Sequence, residues 1–346
     1  MKRVIAINVV VLLSLVALLL GGLEAYLRLT VPASSKETIY EYTLGTKRYK
    51  LMKANAAVSA WGKELRTNDL GFRDRPVGPK LPGEYRIVVL GDSFTVAAGV
   101  DFEHIYTRRL EKALGARVVN LAVGGYNIVQ YALVLQEVGL HLEPDMVLVA
   151  VFPDNDFSNE TYEANLRVAS GQASAEPERA WYELLYVHRA YGSRIESKLK
   201  SLLGSGSPSA PGEGWEQNVA ALEAIAAIAR ERGIALEVAL LPHTWNFEKQ
   251  RALFARVKNE CARLGIECRD LLEPFIERGI EEATLRLNPL DAHPNERYNA
   301  IVAEALASMI DQRAGAKREA GGQRLRHVGH PHRLVRGPAN DAVVAD

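Results

Sequence analysis

Three stretches restrict this chain more than any other feature: Arg86-Ile87-Val88-Val89-Leu90, Arg117-Val118-Val119-Asn120-Leu121 and Met146-Val147-Leu148-Val149-Ala150-Val151-Phe152. Each is a continuous β-branched run that stops at turn residues. Such runs suit strands buried on both faces, as in a parallel sheet covered by helices. Helical patterns fill the gaps at 101–114 and 127–141. The alternation resumes with an Ala/Leu-rich helix at 215–232, a strand at Leu236–Leu241, a helix at 247–264, a short strand at Ile266-Glu267-Cys268 and a closing helix at 296–312. Five strands interleaved with helices predict one α/β domain over 81–312 with right-handed crossovers.

The N-terminus decides the compartment. Met1-Lys2-Arg3 precedes Val4–Leu23, interrupted only by Asn8 and Ser14. Twenty helical residues reach about 30 Å, the thickness of a bilayer core. Lys2 and Arg3 favour an N-in orientation, which places everything after residue 30 outside the cytoplasm. Residues 1–30 therefore read as a membrane anchor, with a cleaved signal segment near Val31-Pro32-Ala33 as the alternative and secretion as its consequence. Residues 31–80 lack a sustained period and read as a connecting arm with short elements. Residues 158–177 are polar and small and read as a rim loop or lid, a helical stretch follows to about Leu203, and Gly204–Gly212 has linker composition. Residues 313–346 carry seven Lys/Arg against three Asp/Glu and read as a basic disordered tail, with His327, His330 and His332 as solvated composition bias.

Lys plus Arg (42) balance Asp plus Glu (42), so no global field favours nucleic acid. Two cysteines exclude a disulfide framework and a four-cysteine zinc site. Cys261 and Cys268 flank Arg263-Leu264-Gly265, and the spacing suits either a bridge in an exported protein or two separate thiols.

In open parallel sheets, ligands bind beyond the carboxyl ends of the strands. The residues there are Gly91-Asp92-Ser93 after the first strand, Gly124-Gly125 after the second and Asp154-Asn155-Asp156 after the third, with Asp291-Ala292-His293-Pro294 far downstream. A serine, glycines, an asparagine and an Asp/His pair are what acyl transfer requires: a nucleophile, its base, a carboxylate to orient the base, and oxyanion donors.

In these four blocks, over residues 66–312, the chain resembles the SGNH hydrolases, also called GDSL esterases and lipases. The lead-in Asn68-Asp69-Leu70-Gly71-Phe72-Arg73-Asp74 is similar to the segment before the serine block in membrane-anchored bacterial members. The resemblance implies a three-layer α/β/α sandwich of flavodoxin-like type with a five-stranded parallel sheet. It implies Ser93 as nucleophile, His293 as base and Asp291 as its orienting acid. The oxyanion donors would be the backbone N–H of Ser93 and of Gly125, with Gly124 as the adjacent competitor, and the Asn155 amide. Two departures stand out: Asp291 precedes His293 by two residues where the family usually shows three, and Pro153-Asp154 replaces the usual glycine before the asparagine.

The expected function is that of a membrane-anchored serine esterase, using no metal or organic cofactor, that removes acyl groups, foremost O-acetyl, from surface or secreted glycans or small molecules. Acyl transfer to a polysaccharide, lysophospholipase or thioesterase activity, and a non-catalytic glycan-binding or assembly role are the alternatives. Asp92 reads as a brace for the nucleophile turn and His243 as a loop histidine. Tyr126 and Trp245 either contact substrate or pack, and Asn159-Glu160-Thr161 is a glycosylation pattern only in a glycosylating host.

Overall fold

The computed structural model describes residues 2–175, 185–188 and 214–310. The expected connector at 204–212, the helical stretch ending near Leu203 and the basic tail lie outside these residues. Residues Met1–Ala307 form one compact unit, and the described residues beyond it, 308–310, are helical.

The chain opens with helix α1 (Lys2–Thr30), long and apolar enough to cross a membrane, with a mean hydropathy of 2.9 over an 18-residue stretch. Two antiparallel ribbons follow: β1 (Tyr40–Tyr42) with β2 (Lys50–Met52), and β3 (Ala57–Ala60) with β4 (Lys63–Arg66). The first long apolar run is β5 (Arg86–Gly91), which leads into the short helix α2 (Ser93–Val96) and then α3 (Tyr106–Leu114). Strand β6 (Arg117–Asn120), helix α4 (Ile128–Glu137) and strand β7 (Met146–Val151) continue the alternation. After β7 come α5 (Pro153–Asp156) and α6 (Glu160–Ala169), then α7 (Trp215–Glu231), β8 (Ala235–Leu240), α8 (Phe247–Leu264) and β9 (Glu267–Asp270). The unit closes with α9 (Leu272–Glu277), the ribbon of β10 (Arg286–Asn288) and β11 (Asp291–Pro294), and a helix from residue 296.

The main sheet has order β6-β5-β7-β8-β9 and is parallel throughout. This is the flavodoxin-like order, whose direction reverses between β5 and β7. Right-handed crossovers then put α3 on one face and α4, α7 and α8 on the other, giving three layers. Every residue of β5 and β7 is buried, which is why their sequences are continuous apolar runs rather than alternating ones.

One expectation is corrected. Residues 158–177 contain an ordered helix, α6, where a loop was expected. Glu160 and Glu163 lie in its first turn, where acidic side chains favour a helix N-terminus. Its partner is remote: the Tyr162 ring packs 5.2 Å from that of Tyr49. The cysteines are free thiols, Cys261 buried on α8 and Cys268 on the edge strand β9, close enough to share a side-chain hydrogen bond.

The lead-in at 68–74 holds the fold together through Arg73, which is fully buried. Its guanidinium donates to the carbonyls of Val96 (2.8 Å) at the end of α2 and of Ala97 (2.6 Å) and Val100 (2.6 Å) in the turn that follows. Asp74 beside it accepts from Asn120 N at 2.8 Å, tying the same segment to β6. Arg73→Met keeps most of the volume but strands these carbonyls, so it is expected to lower unfolding free energy by about 3 kcal/mol or more. The exposed Arg66→Met should change it by under about 0.5 kcal/mol. Urea unfolding of both variants in detergent checks the contrast.

Candidate active site

The turn after β5 is built for one side chain. Gly91 admits no Cβ, which would lie 2.3 Å from Thr95 Oγ1. Asp92 caps α2 by accepting from Phe94 N at 2.8 Å, the bracing role expected for it. Ser93 thus opens a helix at the carboxyl end of β5, beside the topological switch. Asn120 steadies the same helix by donating to Thr95 O at 3.2 Å while accepting from Ala122 N at 3.0 Å.

Ser93 Oγ lies 2.9 Å from His293 Nε2, and His293 Nδ1 lies 2.5 Å from Asp291 Oδ1. Asp291 and His293 sit on β11, so their two-residue spacing puts both side chains on one face of a strand. Asp291 Oδ1 also accepts from His293 N at 3.0 Å.

The other carboxylate oxygen reaches residues that the sequence did not single out. Asp291 Oδ2 accepts from Lys36 Nζ at 2.6 Å and from Trp61 Nε1 at 2.7 Å. Burial alone would raise the Asp291 pKa, but the hydrogen bond and charge of His293 and the Lys36 ammonium hold it well below the usual carboxylate range. It is an anion throughout the neutral range, and it fixes the imidazole with its Nε2 turned to Ser93.

The glycines meet the nucleophile from the β6 side. A Cβ on Gly124 would lie 2.4 Å from Tyr40 Oη and 3.7 Å from Ser93 Cβ, and Gly125 holds φ +80°. A carbonyl can approach this backbone only because neither position carries a side chain. Asn155 lies on α5, where Pro153 takes the first turn and its fixed φ suits a helix start. Thr161 Oγ1 donates to Asn155 Oδ1 at 3.4 Å, and Asn155 lines the cleft. Beneath it, Asp156 is buried, accepting from Phe152 N at 2.7 Å and Tyr131 Oη at 2.8 Å. Burial pushes the Asp156 carboxyl well above its ordinary value and that of Asp92 to about 6.

Ser93, Gly124, Gly125, Asn155, Asp291 and His293 line one open cleft of about 630 Å³, within the range of small-molecule sites. Its other walls are Tyr40, Lys50 and Trp61 from the arm and His243 and Trp245 from the loop after β8. His243 stacks on Trp245 with ring centres 3.6 Å apart, and burial lowers its pKa to about 4, so it is neutral there. Tyr126 packs instead, donating from its hydroxyl to Lys50 O. No local pattern marks Lys36, Trp61 or Lys50: the first two pair with a carboxylate more than 200 residues away.

No protein-family model and no curated protein matches this chain. Among solved structures it is similar to an acetyl xylan esterase, at 15% identity over 65% of this chain and 99% of that chain, with a TM-score of 0.41. It is similar to the psychrotrophic esterase EstA from Pseudoalteromonas sp., at 13% identity over 67% and 100%, with a TM-score of 0.41. It is also similar to a carbohydrate esterase family 2 enzyme with a carbohydrate-binding domain from Corynascus thermopiles, at 16% identity over 69% of each chain, with a TM-score of 0.41. Likeness at this level assigns no chemistry to this chain.

Asp291 supplies a sign-definite test. A carboxyl whose pKa is lowered by folding stabilises the fold above its unfolded value and loses that contribution as pH falls. Asp291→Asn should therefore be less stable than wild type at neutral pH, and the gap should narrow as pH drops below about 4. Paired urea melts at neutral and acid pH measure it; a gap that widens in acid contradicts the assignment.

Proposed function

We propose that the chain is a serine ester hydrolase of the SGNH type, held to a membrane by α1, that removes short acyl groups from glycans outside the cytoplasm. The observation that carries the reading is the unbroken line of hydrogen bonds from Ser93 Oγ through His293 to Asp291.

In this reading Ser93 Oγ attacks the ester carbonyl while His293 Nε2 takes its proton. The oxyanion that forms is held by the backbone N–H groups of Ser93 and Gly125 and by the Asn155 amide. His293 returns the proton to the departing alcohol, leaving an acyl group on Ser93. A water then gives its proton to His293 and attacks the acyl carbonyl, releasing the acid and restoring the serine. Asp291 keeps the imidazole in the tautomer that accepts from the hydroxyl and stabilises the imidazolium.

Two observations support the finer parts. Trp245 is 47% exposed at the rim with its ring stacked on His243, a flat apolar face of the kind on which sugar rings rest. Leu27 near the end of α1 is 2% exposed and packs with Val31 and Trp61, contacts that cleavage of a signal segment near residue 31 would discard. These contacts support the reading of α1 as a retained anchor, with Lys2 and Arg3 on the cytoplasmic side.

Labelling with a fluorophosphonate tests the reading directly. Wild type is expected to be labelled at Ser93, and Ser93→Ala and His293→Ala to lose both labelling and release of acetate from acetylated sugars. Asn155→Ala should remain labelled but turn over about 10²–10³-fold more slowly. Absence of labelling in wild type would remove the hydrolase reading, and preference for long acyl chains would remove the glycan deacetylase one.

A further inference from the structure

Lys50 is the second point at which the arm enters the cleft. Its side chain leaves β2 into the wall and is only 9% exposed. Its ammonium lies 3.9 Å from the ring centre of Tyr40 and 6.0 Å from that of Tyr42. A Cβ placed on Gly125 would be 3.7 Å from Lys50 Nζ, which puts the charge next to the proposed oxyanion donor. Among the described residues no carboxylate forms an ion pair with it, and no oxygen accepts a hydrogen bond from it. Lys36, the other lysine of the cleft, is committed to Asp291.

Aromatic faces attract a cation, but they leave the ammonium's hydrogen-bonding capacity largely unused. A buried ammonium without a counter-ion is unfavourable, and a methionine would fill the same space without the penalty. Burial accordingly draws the Lys50 pKa down to about 8, partly opposed by the charge of Glu37 on the exposed turn nearby. The hydrogen bonds that the rings leave unused point to what enters the cleft, and an anion there would meet both the charge and the donors.

We propose that Lys50 is the receptor for an anionic group of the substrate, so that this esterase acts on acylated acidic sugars whose carboxylate sits beside Gly125 while the ester meets Ser93. The inference rests on the ester-hydrolase reading. A carboxylate fits better than a phosphate ester for a simple reason. Among the described residues that line the cleft there is one ammonium not paired with a carboxylate and no arginine, which balances the single charge of a carboxylate but not the nearly double charge of a phosphate monoester.

The probes are methyl glycosides of mono-O-acetyl glucuronate, of its methyl ester, of mono-O-acetyl glucose, and of a sulfated mono-O-acetyl glucose. Wild type is expected to prefer the glucuronate over both neutral compounds by about ten- to hundredfold in kcat/KM, the value of a charge-assisted hydrogen bond. Lys50→Met should bring that ratio near one, and Lys50→Arg should keep most of it. A ratio near one in wild type overturns the proposal, as does a preference that survives in Lys50→Met. So does a loss in Lys50→Met shared equally by charged and neutral esters, which would make Lys50 an oxyanion or packing residue. Preference for the sulfated sugar overturns the choice of carboxylate.

Fluorophosphonate labelling separates the two readings. Wild type that is not labelled removes the hydrolase, whereas labelled wild type that is indifferent to charge removes only the anion receptor. Should Lys50→Met fail to fold, wild type itself carries the attribution. Lys50 is charged below about pH 8 and neutral above it, so the preference should fall between about pH 7 and pH 9.5. The other groups facing it are Glu37, Lys36, Tyr40 and Tyr42; burial raises both tyrosines, so neither ionises at the lower end of that range. A preference that stays constant across the range overturns the proposal.

Discussion

A single buried carboxylate organises this molecule. Asp291 receives hydrogen bonds from His293, Lys36 and Trp61, groups that come from opposite ends of the folded unit. A carboxylate 7% exposed is tolerable only when its oxygens are filled, and here Oδ1 takes the two His293 donors while Oδ2 takes the two from the arm. The same bonds that remove the burial penalty also fix its orientation. The imidazole therefore inherits its position from an ion pair with Lys36, 255 residues earlier in the chain. This explains how an Asp-x-His spacing serves: the strand β11 supplies the shared face, and the arm supplies the restraint.

The placement of Ser93 depends on a separate set of constraints of the opposite kind. Around Asp291 the problem is an anion needing donors; around α2 it is carbonyls needing donors. A four-residue helix leaves its last carbonyls without partners, and Ala97 then turns with φ +50°. Arg73 donates with one planar group to Val96 O at the end of this helix and to Ala97 O and Val100 O in the turn that follows. A lysine would supply the charge but not the fork. Arginine is thus chosen for geometry, and its burial without a carboxylate partner is compensated by backbone dipoles. Ser93 owes its place to Gly91 on one side and Arg73 on the other.

What the sequence made legible follows from the range of the forces concerned. Strands β5 and β7 were readable because burial on both faces imposes its own composition on each residue. Helix α8 was readable to its ends, 247 and 264, because Asn246 and Gly265 cap it locally. Ser93 and Asn155 stood out because each follows such an element, and Asp291 and His293 because they complete the set of residue types that acyl transfer requires. Lys36, Lys50 and Trp61 did not, since a side chain that pairs across the whole chain leaves no periodic trace where it resides. Helix α6 was missed for a related reason. Its contact is with Tyr49 of the arm, so its own residues are too polar to announce a buried face.

The arm also links the membrane segment to the chemistry, and the chain of contact is short. Leu27 and Val31 pack on Trp61, against which Leu287 and Leu290 of the β10–β11 ribbon are also packed. Trp61 then donates to Asp291. The apolar side of one indole thus fastens the end of α1 to the unit, while its N–H restrains the Asp291 carboxylate. With α1 in a bilayer, this arrangement keeps the cleft close to the point where the chain leaves the membrane. Substrates bound to the same surface are then within reach, and the domain needs no tether longer than the few residues between Thr30 and Lys36. The connecting arm is accordingly better regarded as one wall of the site than as a spacer before it.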